Sequence, residues 1–316
     1  MIPTTTPHAR NPVFEAARLR VFERGWLSSN NVLFDSGQEG GAVLVDSGYG
    51  SHAAQTVAMV KAALGPRRLA RIINTHLHSD HCGGNAALQE EFACSIDVPI
   101  GGAETVDLWD EDRLTYRDTG QRCARFTRTG TLRDGDSIRL GALDWDVIAA
   151  PGHDPESIVL HQPQFRLLIS ADALWENGFG VVFPEIEGLD AFDVVGQTLD
   201  RIAGLAVDWV IPGHGAPFQQ IVPALSRARE RLNGFVRDPV RHARHAAKVL
   251  IKFHLLEVQA TPVADLIRWT RNTRFMELTH TRHFAEKPFD AWAVSLIDDL
   301  ARSGAAKVSG NWIHNM

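Results

Sequence analysis

The stretch Thr75-His76-Leu77-His78-Ser79-Asp80-His81 decides how this chain is read. Three histidines and one aspartate crowd into it, directly after the apolar pair Ile72-Ile73 and before Gly83-Gly84. A short apolar run bounded by Asn and Thr predicts a strand, and Gly84–Phe92 predicts a helix. Imidazole and carboxylate are ligands for zinc and similar transition metals. Side chains two apart in an extended segment point the same way, so His76 and His78 can share one ion. Asp80 and His81 lie past the turn and can reach a neighbouring one.

Three more features sit at the ends of predicted strands. Pro151-Gly152-His153 follows Leu143–Ala149, Asp172 follows Phe165–Ser170, and Pro212-Gly213-His214-Gly215 follows Trp209–Ile211. Each alone is also a turn signal. Together with the first stretch they supply five histidines and two aspartates, enough for two ions that each keep an open position, as catalysis requires. Further apolar runs at 19–22, 32–34, 42–45, 137–140 and 157–161, with helical spacing over 52–64 and 189–203, predict an α/β protein of sheets covered by helices.

With these residues in place, the chain resembles the metallo-β-lactamase superfamily over about residues 18–220. The resemblance implies a four-layer αββα sandwich. It implies that His76, His78 and His153 hold one metal, that Asp80, His81 and His214 hold the other, and that Asp172 bridges them. Asp46, in Leu44-Val45-Asp46-Ser47-Gly48, matches a motif in which the aspartate supports the metal loop without binding metal. The implied cofactor is a pair of divalent ions, zinc foremost with iron or manganese as alternatives. The implied activity is a dinuclear hydrolase in which a metal-bridging hydroxide cleaves a thioester, lactone or other carboxylic ester, Asp80 orienting the hydroxide. The run Thr75–Asn85 is similar to that of hydroxyacylglutathione hydrolases (glyoxalase II). Glu176-Asn177-Gly178-Phe179-Gly180 departs from the glycine, cysteine and arginine pattern of those enzymes, which weighs against a glutathione thioester. Glu156 stands where a glycine is common.

The composition agrees with a folded enzyme. In 316 residues, 44% hydrophobic and 22% charged, collagen, coiled coil and disorder are poor descriptions. No apolar run approaches the ~20 residues that cross a bilayer. Met1–Arg10 has no apolar core of a signal peptide. Three cysteines, Cys82, Cys94 and Cys123, fit a reducing cytoplasm. The net charge of −6 divides into an acidic part up to residue 222 and a basic part beyond it. We expect a catalytic domain at 1–225 and a helical domain at 226–316. Its pattern is winged-helix-like: a helix capped by Thr261 ahead of Pro262, a helix at 289–301 and a final strand over 307–313.

That basic appendage raises a rival reading, a phosphodiesterase or ribonuclease acting on single-stranded RNA. A non-hydrolytic metal-binding member of the superfamily is the other alternative. The expected partner is a small-molecule substrate, with nucleic acid less favoured and a homodimer allowed for. Residues 101–125 and the C-terminal helices are expected to line the cleft. The pairs His242/His245 and His280/His283 are expected at the surface.

Overall fold

Strand alternation builds the core. In the computed structural model, which describes residues 11–35 and 41–316, one sheet has the order β1 (Leu19–Phe22), β2 (Asn31–Phe34), β3 (Ala42–Val45), β4 (Leu69–Ile73), β5 (Ser95–Pro99) and β6 (Gly130–Leu132). The other contains β7 (Ser137–Leu140), β8 (Leu143–Ala149), β9 (Ile158–Gln162), β10 (Leu167–Ala171) and β11 (Trp209–Pro212), each beside its sequence neighbour. Val43 and Val45 of β3 face the second sheet, as do Ile73 of β4 and Phe34 of β2. There they meet Trp145, Val147, Leu160, Ile169 and Ile211. The alternate residues Leu44, Ile72 and Ile96 turn outward onto Val60, Leu64 and Leu88 of the helices Ala53–Leu64 and Asn85–Phe92.

The second sheet repeats the pattern. Val159, Leu168 and Val210 face Val195, Leu199 and Ile202 of the helix Phe192–Ala203, together with Leu225, Leu232 and Phe235 of the helix Ile221–Arg237. Period-two alternation with both faces apolar thus gives helix, sheet, sheet, helix. The αββα sandwich expected from the sequence is the observed architecture. The expectation for Met1–Arg10 lies outside the described residues.

Beyond Asp238, whose carboxylate accepts from Arg241 N at 3.0 Å to cap the helix Pro239–Val258, the chain gathers a further apolar cluster. Leu250, Phe275, Trp292 and Leu296 are at its centre. A small sheet of order β12 (Ala260–Pro262), β14 (Trp312–Asn315), β13 (Ala306–Ser309) closes it. Two local expectations change here. Thr261 caps no helix: its backbone pairs with Ile313 in the sheet, and the helix starts at Val263. The single final strand is a hairpin, because Gly310 takes φ +58° and reverses the chain. The helix Arg274–His283 has no counterpart in the sequence reading. His242 is buried, contrary to the expected surface position. No helix of the described residues is long and apolar enough to cross a membrane.

Candidate metal centre

All the singled-out residues leave the C-terminal ends of strands along one edge of the sandwich. Strands β3 and β4 run parallel, as do β10 and β11. The antiparallel steps from β8 to β9 and from β9 to β10 turn β8 the same way. Asp46 therefore follows β3, the histidine run follows β4, His153 follows β8, Asp172 follows β10 and His214 follows β11. The two sheets bring together side chains 46 to 214 in the sequence.

His78 Nδ1 lies 3.1 Å from His76 Nε2 and 2.8 Å from His153 Nε2. His153 donates from Nδ1 to the Val181 carbonyl, which turns the Nε2 lone pair inward. A second group forms beside the first. His214 Nε2 is 3.1 Å from Asp80 Oδ2, and His81 Nε2 is 4.0 Å from the same oxygen. Asp172 stands between the groups. Its Oδ2 is 3.4 Å from His153 Nε2, while its Oδ1 is 3.4 Å from His81 Nε2 and 3.9 Å from His214 Nε2. Donor atoms of His76, His78 and His153, of Asp80, His81 and His214, and of His76, His81 and Asp172 converge closely enough to hold a metal ion.

Orphaned atoms test whether this donor set fits a metal. His81 Nε2 is buried without a hydrogen-bond partner, an arrangement rare in proteins. The other nitrogen of that ring donates to Asp46 Oδ2 at 2.7 Å. An imidazole whose far N–H is held by a carboxylate while its lone pair points into a cluster of ligands is the usual state of a metal-binding histidine. The charges agree. Burial, then neighbouring imidazoles, holds His76 well below its ordinary value. Burial also takes His78 and His153 down to about 4. Burial opposes ionisation of Asp80 and Asp172, but the surrounding histidines overcome it and both carboxyls sit below the usual range. For His81, burial is outweighed by Asp46, Asp172 and Asp80, which hold the imidazole well above its ordinary value. Neutral imidazoles beside ionised carboxylates are the protonation states a cation needs. His81 must give up a proton to bind one. The residues form a divalent-metal site.

The supporting residues are more numerous than the sequence suggested. Asp46 takes the left-handed φ of +56°, tolerated by aspartate, and accepts from Thr75 N at 2.9 Å and Thr75 Oγ1 at 2.8 Å. Asn30 donates to Pro212 O at 2.9 Å and Gly215 O at 2.7 Å, pinning the turn that carries His214. Trp26 stacks on His214 at 5.3 Å, and Trp175 meets the same ring edge-on at 5.5 Å while donating to Asp172 Oδ1 at 3.1 Å. His242 accepts from Val182 N at 3.3 Å, next to the carbonyl that orients His153. Tyr116 and Cys82 lie beneath the loop, the phenol donating to Leu77 O at 2.9 Å. Tyr49 bonds Glu257 at 3.1 Å. Neither tyrosine lines the cleft.

That cleft has a volume of about 570 Å³ and runs from the imidazoles to the helix Pro239–Val258. Of residues 101–125 only Thr119 and Gln121 line it, whereas His245, Phe253 and Leu256 of the long helix form much of its far wall. Glu156 stays exposed.

Comparisons with known proteins agree with this geometry. The hydroxyacylglutathione hydrolase of Rhizobium meliloti (strain 1021) is 31% identical over 144 residues, 46% of this chain and 47% of that protein. Acyl-coenzyme A thioesterase MBLAC2 of Gallus gallus is 28% identical over 160 residues, 48% of this chain and 57% of that protein. The chain thus spans about half the length of these curated relatives. A metallo-beta-lactamase family protein from Thermus thermophilus superposes with a TM-score of 0.56 at 19% identity, over 95% of this chain and 99% of that one. A beta-lactamase domain protein from Burkholderia ambifaria gives 0.54 at 20%, over 95% and 91%. These two likenesses show the fold. The family model described as the metallo-beta-lactamase superfamily matches residues 24–214, the span that holds every strand of the two sheets except β1 and every converging ligand, and the chain belongs to that superfamily.

Proposed function

We propose that this chain is a dinuclear metal-dependent hydrolase of ester-type bonds, with thioesters as the favoured substrates and zinc as the favoured metal. The observation that carries the reading is the position of Asp172, one oxygen facing His153 and the other facing His81 and His214. His76, His78 and His153 would hold one ion and Asp80, His81 and His214 the other, with Asp172 shared. Bound divalent ions supply Lewis acidity and bring the pKa of water toward ~7. Asp80 accepts at Oδ2 the proton that water releases as its oxygen attacks the substrate carbonyl, and returns it to the departing sulfur or oxygen. Trp26 and Trp175 exclude solvent on the His214 side, and Phe183, 5.2 Å from the His78 ring, does so on the other. The names of the hydroxyacylglutathione and acyl-coenzyme A relatives favour thioesters over lactones. The apolar walls of the cleft favour an acyl group over a polynucleotide.

We also propose that the residues beyond Asp238 form a winged-helix-like unit. We set that division at Asp238 and not at 225; packing of the helix Ile221–Arg237 on the second sheet supports this choice. The test of the hydrolase reading is turnover of a thioester, lactone and phosphodiester panel with and without chelator. Asp80→Ala and His81→Ala lose at least ~100-fold in kcat/KM with unchanged circular dichroism. Full activity in both variants would refute the assignment.

A further inference from the structure

The cleft continues well past the imidazoles, and its far wall has a chemistry of its own. Val249, Phe253 and Leu256 make it apolar, and three cations, Arg231, Lys248 and Lys252, line the cleft together with the acids Glu176 and Asp80. Lys252 is already used: its ammonium donates to Ala305 O at 2.7 Å, Asn315 Oδ1 at 2.6 Å and Met316 O at 2.8 Å. Lys248 stands 3.7 Å from Asp299 Oδ2, beyond hydrogen-bond reach, and that carboxylate is engaged by Arg244 at 2.8 Å and by Arg302. Arg231 has no carboxylate partner among the described residues. One of its nitrogens donates to His245 Nε2 at 2.7 Å, another reaches Asn177 O at 3.5 Å, and its Cζ lies 5.5 Å from the ring centroids of Phe179 and of Phe235.

A guanidinium carries five N–H groups and keeps its charge. Half-buried between aromatic rings and without a counter-charge, it is a costly arrangement unless an anion completes it. His245 has to be neutral to accept from Arg231, and burial together with that guanidinium takes it down to about 3. It is a positioning residue that fixes the guanidinium.

We infer that Arg231 and Lys248 form an anion subsite for the part of the substrate remote from the scissile bond. Resting on the hydrolase reading, this names the substrate class: an ester or thioester with an apolar stretch that carries a carboxylate or a phosphate. The cleft volume suits such a molecule, since small-ligand sites run to about 300–1,000 Å³. The apolar wall takes the stretch, and the two cations select the charged end.

Binding of uncleavable probes tests the subsite. S-octyl-3-mercaptopropionic acid, its primary amide and octyl phosphate carry no thioester, and each is titrated calorimetrically into the metal-loaded full chain. At least one of the two anions is expected to bind tenfold or more tightly than the amide, and the tighter one identifies the charged group. In Arg231→Met and in Lys248→Met the ratio of anion to amide affinity falls ~10-fold or more, while Arg231→Lys recovers part of it. Equal affinity for anions and amide in the unaltered chain overturns the inference. So does a preference that survives both methionine variants, because the anion would then be held by the metals. The readout is independent of turnover: a chain that hydrolyses no ester yet keeps the Arg231-dependent preference retains the subsite and loses only the hydrolase reading.

Discussion

Replacing Asp46 by asparagine removes one charge and changes no shape, so it isolates what this carboxylate does for the metal centre. Asp46 accepts three buried hydrogen bonds, from Thr75 N, Thr75 Oγ1 and His81 Nδ1. An asparagine can present its oxygen to only one side. Whichever way it turns, its NH2 group faces at least one N–H or O–H donor, and a buried donor left unmatched costs about 1–3 kcal/mol. The remaining bonds lose the assistance of the charge, about 1 kcal/mol more. His81 can escape the conflict by moving its proton to Nε2, the atom that faces Asp172, and there the proton competes with the metal. Changing the group behind a metal-binding histidine typically lowers affinity ~10–100-fold, which is the same scale as the hydrogen-bond loss. Competition titration of zinc against a chromophoric chelator measures it. Asp46→Asn is expected to weaken one ion by at least tenfold and leave the other less affected. Affinities within twofold of the unaltered protein at both sites would refute the argument that Asp46 sets the His81 tautomer.

Other consequences follow from crowding and from titration. A Cβ at Gly213 would collide with Asp172 Oδ1 and fall 3.0 Å from His81 Cε1, so Gly213→Ala is expected to fold yet bind at least ~10-fold less metal, read by elemental analysis after dialysis; full occupancy would show that Asp172 has room to move. His242 is almost fully buried and its pKa is lowered to about 4 by burial and then by the Arg231 charge. The unfolded chain therefore takes the proton first, and stability is present above the ordinary histidine range and lost as pH falls toward 4. The loss at pH 4.5 is about 2 kcal/mol from this residue. His242→Gln, which keeps an acceptor for Val182 N, should lose correspondingly less stability than the unaltered metal-free chain between pH 7 and 4.5 in urea unfolding. Identical losses would remove His242 from the acid response.

The sandwich and the seven converging side chains were legible because both are written locally. Strands such as Val43–Val45 and Leu167–Ile169 announce themselves by short apolar runs between turns, and imidazole and carboxylate at strand ends announce a metal. The residues that complete the site carry no local mark. Trp26 reads as a stray aromatic until it is seen stacked on His214, 188 positions away. His242 reads as a surface histidine until it is found bonded to Val182 N. Arg231 looks like one of many helix arginines, and only the tertiary structure withholds an acid from it. Thr261 misled for a related reason: Thr-Pro fits a helix start, but the strand Trp312–Asn315 captured its backbone first. Local preference decides where nothing else competes, and a β partner some 50 residues later did compete.

The claim underneath all of this is that the sandwich edge gathers a pair of cations. Anomalous diffraction from crystals of the metal-loaded chain tests it most directly. Two peaks ~3.5–4 Å apart are expected, one among His76, His78 and His153 and the other among Asp80, His81 and His214, with Asp172 reaching both. No peak within the cluster, or a lone ion held elsewhere on the chain, would contradict it.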